Sequence, residues 1–171
     1  MPESADWLRE LPPAARFVFQ GGRAARETAG RTFGVALPEA ACRASTAGGR
    51  SALWLGPEEH LLIAPAETGH CIQAELSSAL AGIAHSLVEV SDRQVAYTVT
   101  GPGARDVLAS GCPLDLDPAA FPVAMCTRTL FGKSEIVLWR RGAEEYHLEV
   151  ARSFSDYVLG WMRGAHRGGS S

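Results

Sequence analysis

Apolar residues recur at two periods along the 171-residue chain, and the switches between them mark out its elements. Ile72, Leu76, Ala79, Leu80 and Ile83 fall at i, i+4, i+7, i+8 and i+11, which predicts a helix over about 67–82. Phe154, Tyr157, Val158, Trp161, Met162 and Ala165 fall at i, i+3, i+4, i+7, i+8 and i+11 and predict a second amphipathic helix near the C-terminus. Between them the period drops to two. Val95, Tyr97 and Val99 alternate with Gln94, Ala96, Thr98 and Thr100, as in a strand with one covered face. The runs 53–56 and 61–64, joined by Gly56-Pro57-Glu58-Glu59, read as a hairpin. Shorter strands are expected at 17–19, 88–90, 127–131, 135–139 and 145–151, and helices over about 21–34 and 102–110. A loop is expected over 113–122.

Hairpins interspersed with helices predict an α+β fold of antiparallel or mixed sheets with packed helices. Residues 1–16, with a break at Pro12-Pro13, read as an N-terminal arm; 17–166 read as a single α+β domain and 167–171 as a flexible tail. Two segments echo each other. WLGPEEHLLI (54–63) and WRRGAEEYHLEV (139–150) share a Trp, a Gly turn, Glu-Glu and His-Leu, and each precedes an amphipathic helix. The echo reads as an internal duplication, against the alternative that two hairpins of common residues resemble each other by chance.

Composition narrows the partners. With 16 basic and 19 acidic side chains, and Lys133 the only lysine, no basic stripe exists to neutralise nucleic-acid phosphates. Glu3, Asp6, Arg9 and Glu10 interrupt the first residues, so no cleavable signal is expected, nor does any run approach the ~18 apolar residues of a membrane span. Cys42, Cys71, Cys112 and Cys126 lie far apart and read as reduced thiols of a cytoplasmic protein.

The stretch TVTGPGARDVLASG (98–111) invites a phosphate-loop reading, but Ala104-Arg105-Asp106 stand where a Walker loop needs its lysine and hydroxyl. Asp106 also takes the place of the third glycine of a dinucleotide fingerprint. Gly101-Pro102-Gly103 is therefore expected to turn a strand into a helix, with Arg105 free to meet an anion. His70-Cys71 point about 100° apart on a helix and have no third ligand nearby. His60, His85 and His147 sit on or beside strands as half-buried imidazoles. Cys112 lacks a neighbouring cation to activate it, and Asp115 and Asp117 read as turn formers. No catalytic, cofactor-binding or metal-binding residue is assigned.

VSDRQVAYTVTGPGARDVLASGCPLDLDPAAF (90–121) and RTLFGKSEIVLWRRGAEEYHLEVARSFSDYV (128–158) resemble the gamma subunit of heterotetrameric sarcosine oxidase, with GCPLDL, RTLFGK and HLEVARSF in order and spacing. That family is similar in fold to the folate-binding domain of aminomethyltransferases and dimethylglycine dehydrogenases. The resemblance implies a non-catalytic structural subunit, inactive alone, in a complex with alpha, beta and delta subunits. The complex would demethylate sarcosine oxidatively to glycine, produce hydrogen peroxide, and pass the one-carbon unit to tetrahydrofolate or release formaldehyde. FAD, FMN, NAD and tetrahydrofolate are implied on the partner subunits, with zinc on the smallest, and no family catalytic residue maps onto this chain. The alternative is a stand-alone folate-binding or aminomethyltransferase-like accessory protein. Two anchors for partners are expected: the arm at Trp7 and Leu8, and the hairpin at Trp139, Arg140 and Arg141.

Overall fold

A computed structural model describes residues 6–168. The first half holds β1 (Leu8–Glu10), β2 (Ala14–Gly21), α1 (Arg23–Phe33), β3 (Ala44–Ala47), β4 (Arg50–Gly56), β5 (Glu59–Pro65) and α2 (Gly69–Ala79). The second holds β6 (His85–Glu89), β7 (Gln94–Thr100), α3 (Ala104–Ala109), β8 (Cys126–Phe131), β9 (Ser134–Gly142), β10 (Glu145–Ala151) and α4 (Ser155–Gly168). The strands form two five-stranded sheets, ordered β3-β4-β5-β2-β6 and β8-β9-β10-β7-β1, with every pairing antiparallel.

Those two orders are the same order. Each sheet reads as an outer strand, a meander, the strand that opens the repeat, and an edge strand, and each repeat runs strand, helix, three-stranded meander, 3-10 turn, helix. Without its outermost meander strand this is the split βαβ arrangement of ferredoxin-like folds. The echo seen in sequence is carried into register: Trp54 faces His60 in one hairpin, and Trp139 faces His147 in the other. Both hairpins shift register beside the glycine of the turn, after Trp54 and before Tyr146. A 3-10 turn precedes both α2 and α4. The duplication is therefore one of topology as well as composition.

The edge strands are exchanged between the repeats. β1 is encoded immediately before β2 yet pairs with β7, while β6 is encoded before β7 yet pairs with β2. Contacts accordingly divide the chain into two compact units, Pro13–Ser91 in one, and the residues up to Pro12 with those from Asp92 onward in the other. In the first unit, Phe17, Phe19 and Leu62 meet Ala29 and Phe33 of α1 and Ile72 and Leu76 of α2. In the second, Tyr97, Val99, Leu138, Tyr146 and Leu148 meet Val107 and Leu108 of α3 and Val158 and Met162 of α4. Each fully buried side chain of this size contributes about 1.5–3 kcal/mol.

Four expectations change. The single domain over 17–166 resolves into these two units. The arm is not an arm: Leu8–Glu10 close the edge of β7, the Thr100 N–H donates to the Trp7 carbonyl at 2.7 Å, and Trp7 stacks on His166 at 4.2 Å. The part of the arm at 1–5 lies outside the described residues. Of the tail, Arg167 and Gly168 continue α4, and 169–171 lie outside the described residues. Finally, β7 is covered on both faces, since Ala96 and Thr98 are buried as well as the apolar set. Alternation locates one apolar face; small residues on the other leave it free to be covered too.

Candidate functional site

The opening glycine stretch folds as the strand-to-helix turn it predicts. β7 ends at Thr100, Gly101 takes φ +94, and α3 begins at Ala104, whose N–H donates to the Gly101 carbonyl at 3.0 Å. Only Gly101 uses the left-handed region, because Gly103 sits at φ −85. The Gly101 N–H also donates to the Glu144 carbonyl at 3.0 Å, which ties the turn to the β9–β10 hairpin.

A cavity of about 250 Å³ opens where these two turns meet, with Gly101, Pro102, Arg105, Arg140, Glu144 and Tyr146 among its lining. Arg140 was expected at an exposed anchor and is instead 5% exposed. Its Nε donates to the Gly142 carbonyl at 3.2 Å, Nη1 to Phe121 at 2.8 Å and Nη2 to Ala143 at 2.6 Å. The guanidinium also lies 5.7 Å from the centre of the Tyr146 ring. Burial pushes the Tyr146 phenol above its ordinary value of 10, against the pull of Arg140 and Arg105, so it stays a neutral hydroxyl at physiological pH. Arg105 is half-exposed and lies 3.9 Å from Asp106.

The other residues weighed from sequence fall into structural roles. Cys112 is buried in the core, and Leu116 beside it as well. The Asp115 carboxylate accepts the Asp117 N–H, and the Asp117 carboxylate accepts the Ala119 N–H, both at 2.9 Å, so the motif GCPLDLDP is a pair of Asx turns anchored by apolar side chains. His147 bonds Glu149 at 2.7 Å in a buried pair and packs against Trp139, which is itself buried rather than a surface anchor. Arg141 stays on the surface over the Trp139 ring and 3.6 Å from Glu145. His60 is fully buried, donating Nε2–H to the Pro38 carbonyl at 2.8 Å, while its Nδ1 has no partner. Burial holds its pKa below 6.5, opposed by the Pro38 bond and Glu59 and reinforced by Arg26. His70, Cys71 and His85 do not converge, and among the described residues no three His, Cys, Asp or Glu side chains gather as around a metal ion.

A second cavity, of about 480 Å³, lies along α1 and the segment after it, where Arg26, Glu27, Arg31 and Glu39 line it. Its charges are matched, because Arg26 pairs with Glu39 and Arg23 with Glu27 beside it. One surface feature escaped the sequence reading. Phe154, Tyr157 and Trp161, three of the six apolar residues on the predicted C-terminal helix face, are 44%, 38% and 38% exposed, while Val158 and Met162 of α4 are fully buried. Helical period alone does not tell which edge of an apolar stripe faces out.

The family model described as the sarcosine oxidase gamma subunit family matches residues 22–167. The chain belongs to that family. It is 32% identical over 158 residues to the sarcosine oxidase subunit gamma of an Arthrobacter species, covering 91% of this chain and 77% of the relative. It is 34% identical over 114 residues to that of Corynebacterium strain P-1, covering 67% of this chain and 55% of the relative. Among solved structures, it superposes on a chain of heterotetrameric sarcosine oxidase from Corynebacterium sp. U-96, in complex with pyrrole 2-carboxylate. The TM-score is 0.88 at 27% identity, over 96% of this chain and 85% of that one. The glycine cleavage aminomethyltransferase T of Bartonella henselae matches with a TM-score of 0.72 at 14% identity, over 94% of this chain and 46% of that one, and shows a shared fold. The fold class and family expected from sequence are thereby established, the aminomethyltransferase likeness included.

Proposed function

We propose that this family member is the structural, non-catalytic subunit of a heterotetrameric sarcosine oxidase, assembled with alpha, beta and delta subunits. The observation that carries the reading is its likeness, over nearly its whole length, to one chain of a heterotetrameric enzyme. In this reading the oxidation of sarcosine to glycine, peroxide formation and one-carbon transfer to tetrahydrofolate take place on the partners, which hold FAD, FMN, NAD and folate. The complex works in the cytoplasm, a setting supported by four cysteines that are all free thiols. The subunit contributes surface. Phe154 in the 3-10 turn before α4, with Tyr157 and Trp161 on α4, forms an exposed aromatic stripe, the composition of an interface anchor.

The test is co-expression with alpha, beta and delta subunits of a heterotetrameric sarcosine oxidase. A stoichiometric flavoprotein is expected, and Phe154→Asp should lower the recovered share of this chain at least several-fold while leaving its unfolding midpoint unchanged. A chain that never joins a flavoprotein, yet binds tetrahydrofolate by itself, would replace this reading with that of a folate-binding accessory protein.

A further inference from the structure

The Arg140 cavity has no assigned ligand, and its charge is unbalanced. A buried cation ordinarily pairs with a carboxylate, because desolvation costs several kcal/mol that neutral dipoles offset only in part. No carboxylate among the described residues pairs with Arg140; its partners are three carbonyl oxygens and the Tyr146 ring. An arginine has five N–H donors. Those carbonyls take the Nε donor and one from each terminal nitrogen, so each terminal nitrogen keeps one N–H. Arg105 stands at the same cavity with half its side chain in solvent, and Asp106 is at the loose distance of 3.9 Å. Tyr146, whose phenol stays neutral, also lines the cavity.

We infer that this cavity is a binding site for a small monocarboxylate, held by Arg105, Arg140 and the Tyr146 hydroxyl. The charge count selects the ligand class. Among the side chains that line it, Arg105 and Arg140 against Glu144 leave one positive charge in excess, which a single carboxylate neutralises, while Glu144 and the Asp106 carboxylate 3.9 Å from Arg105 both disfavour a dianion. The planar guanidinium fork can hold a carboxylate through two parallel N–H···O bonds. The cavity, at about 250 Å³, holds a molecule of a few heavy atoms and no nucleotide. The glycine turn thus borders an anion site after all, but one built by side chains rather than by a phosphate-cradling backbone.

Acetate titrated into the full chain at constant ionic strength tests this, read by the backbone amide shifts of Gly101, Gly103 and Glu144. Saturable shifts are expected, with Arg105→Gln weakening acetate about tenfold, the loss of one charge-assisted contact. Tyr146→Phe keeps the ring that packs under Arg140 and should weaken acetate several-fold. Chloride should produce no saturable change, and inorganic phosphate should bind more weakly than acetate. Non-saturating shifts, equal affinity in Arg105→Gln and the parent chain, or tighter binding of phosphate would each overturn the assignment. Arg140→Lys is a less clean probe, since Arg140 also fastens the segment at Phe121 and the hairpin at Gly142 and Ala143.

Discussion

At the scale of single residues, two glycines that look alike in sequence have different jobs. Gly101 holds φ +94, a conformation that a β-branched side chain resists, whereas Gly103 holds φ −85 with open space around the position of a Cβ. Gly101→Val should therefore lower stability by about 1–3 kcal/mol, and Gly103→Ala should leave it unchanged or slightly raised. Chemical denaturation of the two variants separates them. His60 gives a pH signature. Its proton affinity is depressed by burial in the folded state, so the unfolded chain takes up a proton first as pH falls. Its contribution to stability is full above about pH 6.5 and declines below it. The unfolding midpoint should drop more steeply on that acid side in the parent chain than in His60→Gln, measured as a midpoint-against-pH series.

At the scale of elements, the exchanged edge strands carry the consequence. Removing residues 1–12 deletes β1, exposes the edge of β7 and strips Trp7 from His166. Truncation should cost about 2 kcal/mol or more and promote association through the open edge. Thermal unfolding with light scattering reads both effects. A truncated chain as stable and as monodisperse as the parent would show β1 to be dispensable. The docking of α4 on β8 depends on Gly132, which has φ +58 and whose Cβ would lie 2.6 Å from the Trp161 ring. Gly132→Ala should destabilise by about 1–3 kcal/mol and alter Trp161 fluorescence, because the backbone strain and the collision fall at one position.

At the scale of the whole molecule, the isolated chain is expected to be colourless and inactive on sarcosine. No flavin or nucleotide fingerprint appears in its sequence, and the cavity at Arg140 is too small for either cofactor. Absorbance at flavin wavelengths and a peroxide assay on the purified chain decide the matter. A stoichiometric yellow chromophore or peroxide from sarcosine would contradict the structural role.

The order and type of most elements were legible in the chain because their signals are local. The alternation at 94–100, the helical stripes at 72–83 and 154–165, and the hairpin turns at Gly56 and Gly142 each specify a conformation from neighbours within a dozen residues. The duplicated hairpin was legible too, down to the Trp and His that face each other in both copies. β1 and β3 were not. Each is a strand of three or four residues without periodicity, and β1 exists only because Val99, Thr98 and Tyr97, some ninety residues away, offer it an edge. The reciprocal strand exchange, the exposed edge of the α4 stripe and the burial of Arg140 share that origin. All three depend on which distant surfaces meet, and a side chain's sequence neighbours carry no record of that. Sequence alone therefore determined the repeat and its family, while tertiary packing decided where the unpaired charge lies and which aromatic side chains are left facing out.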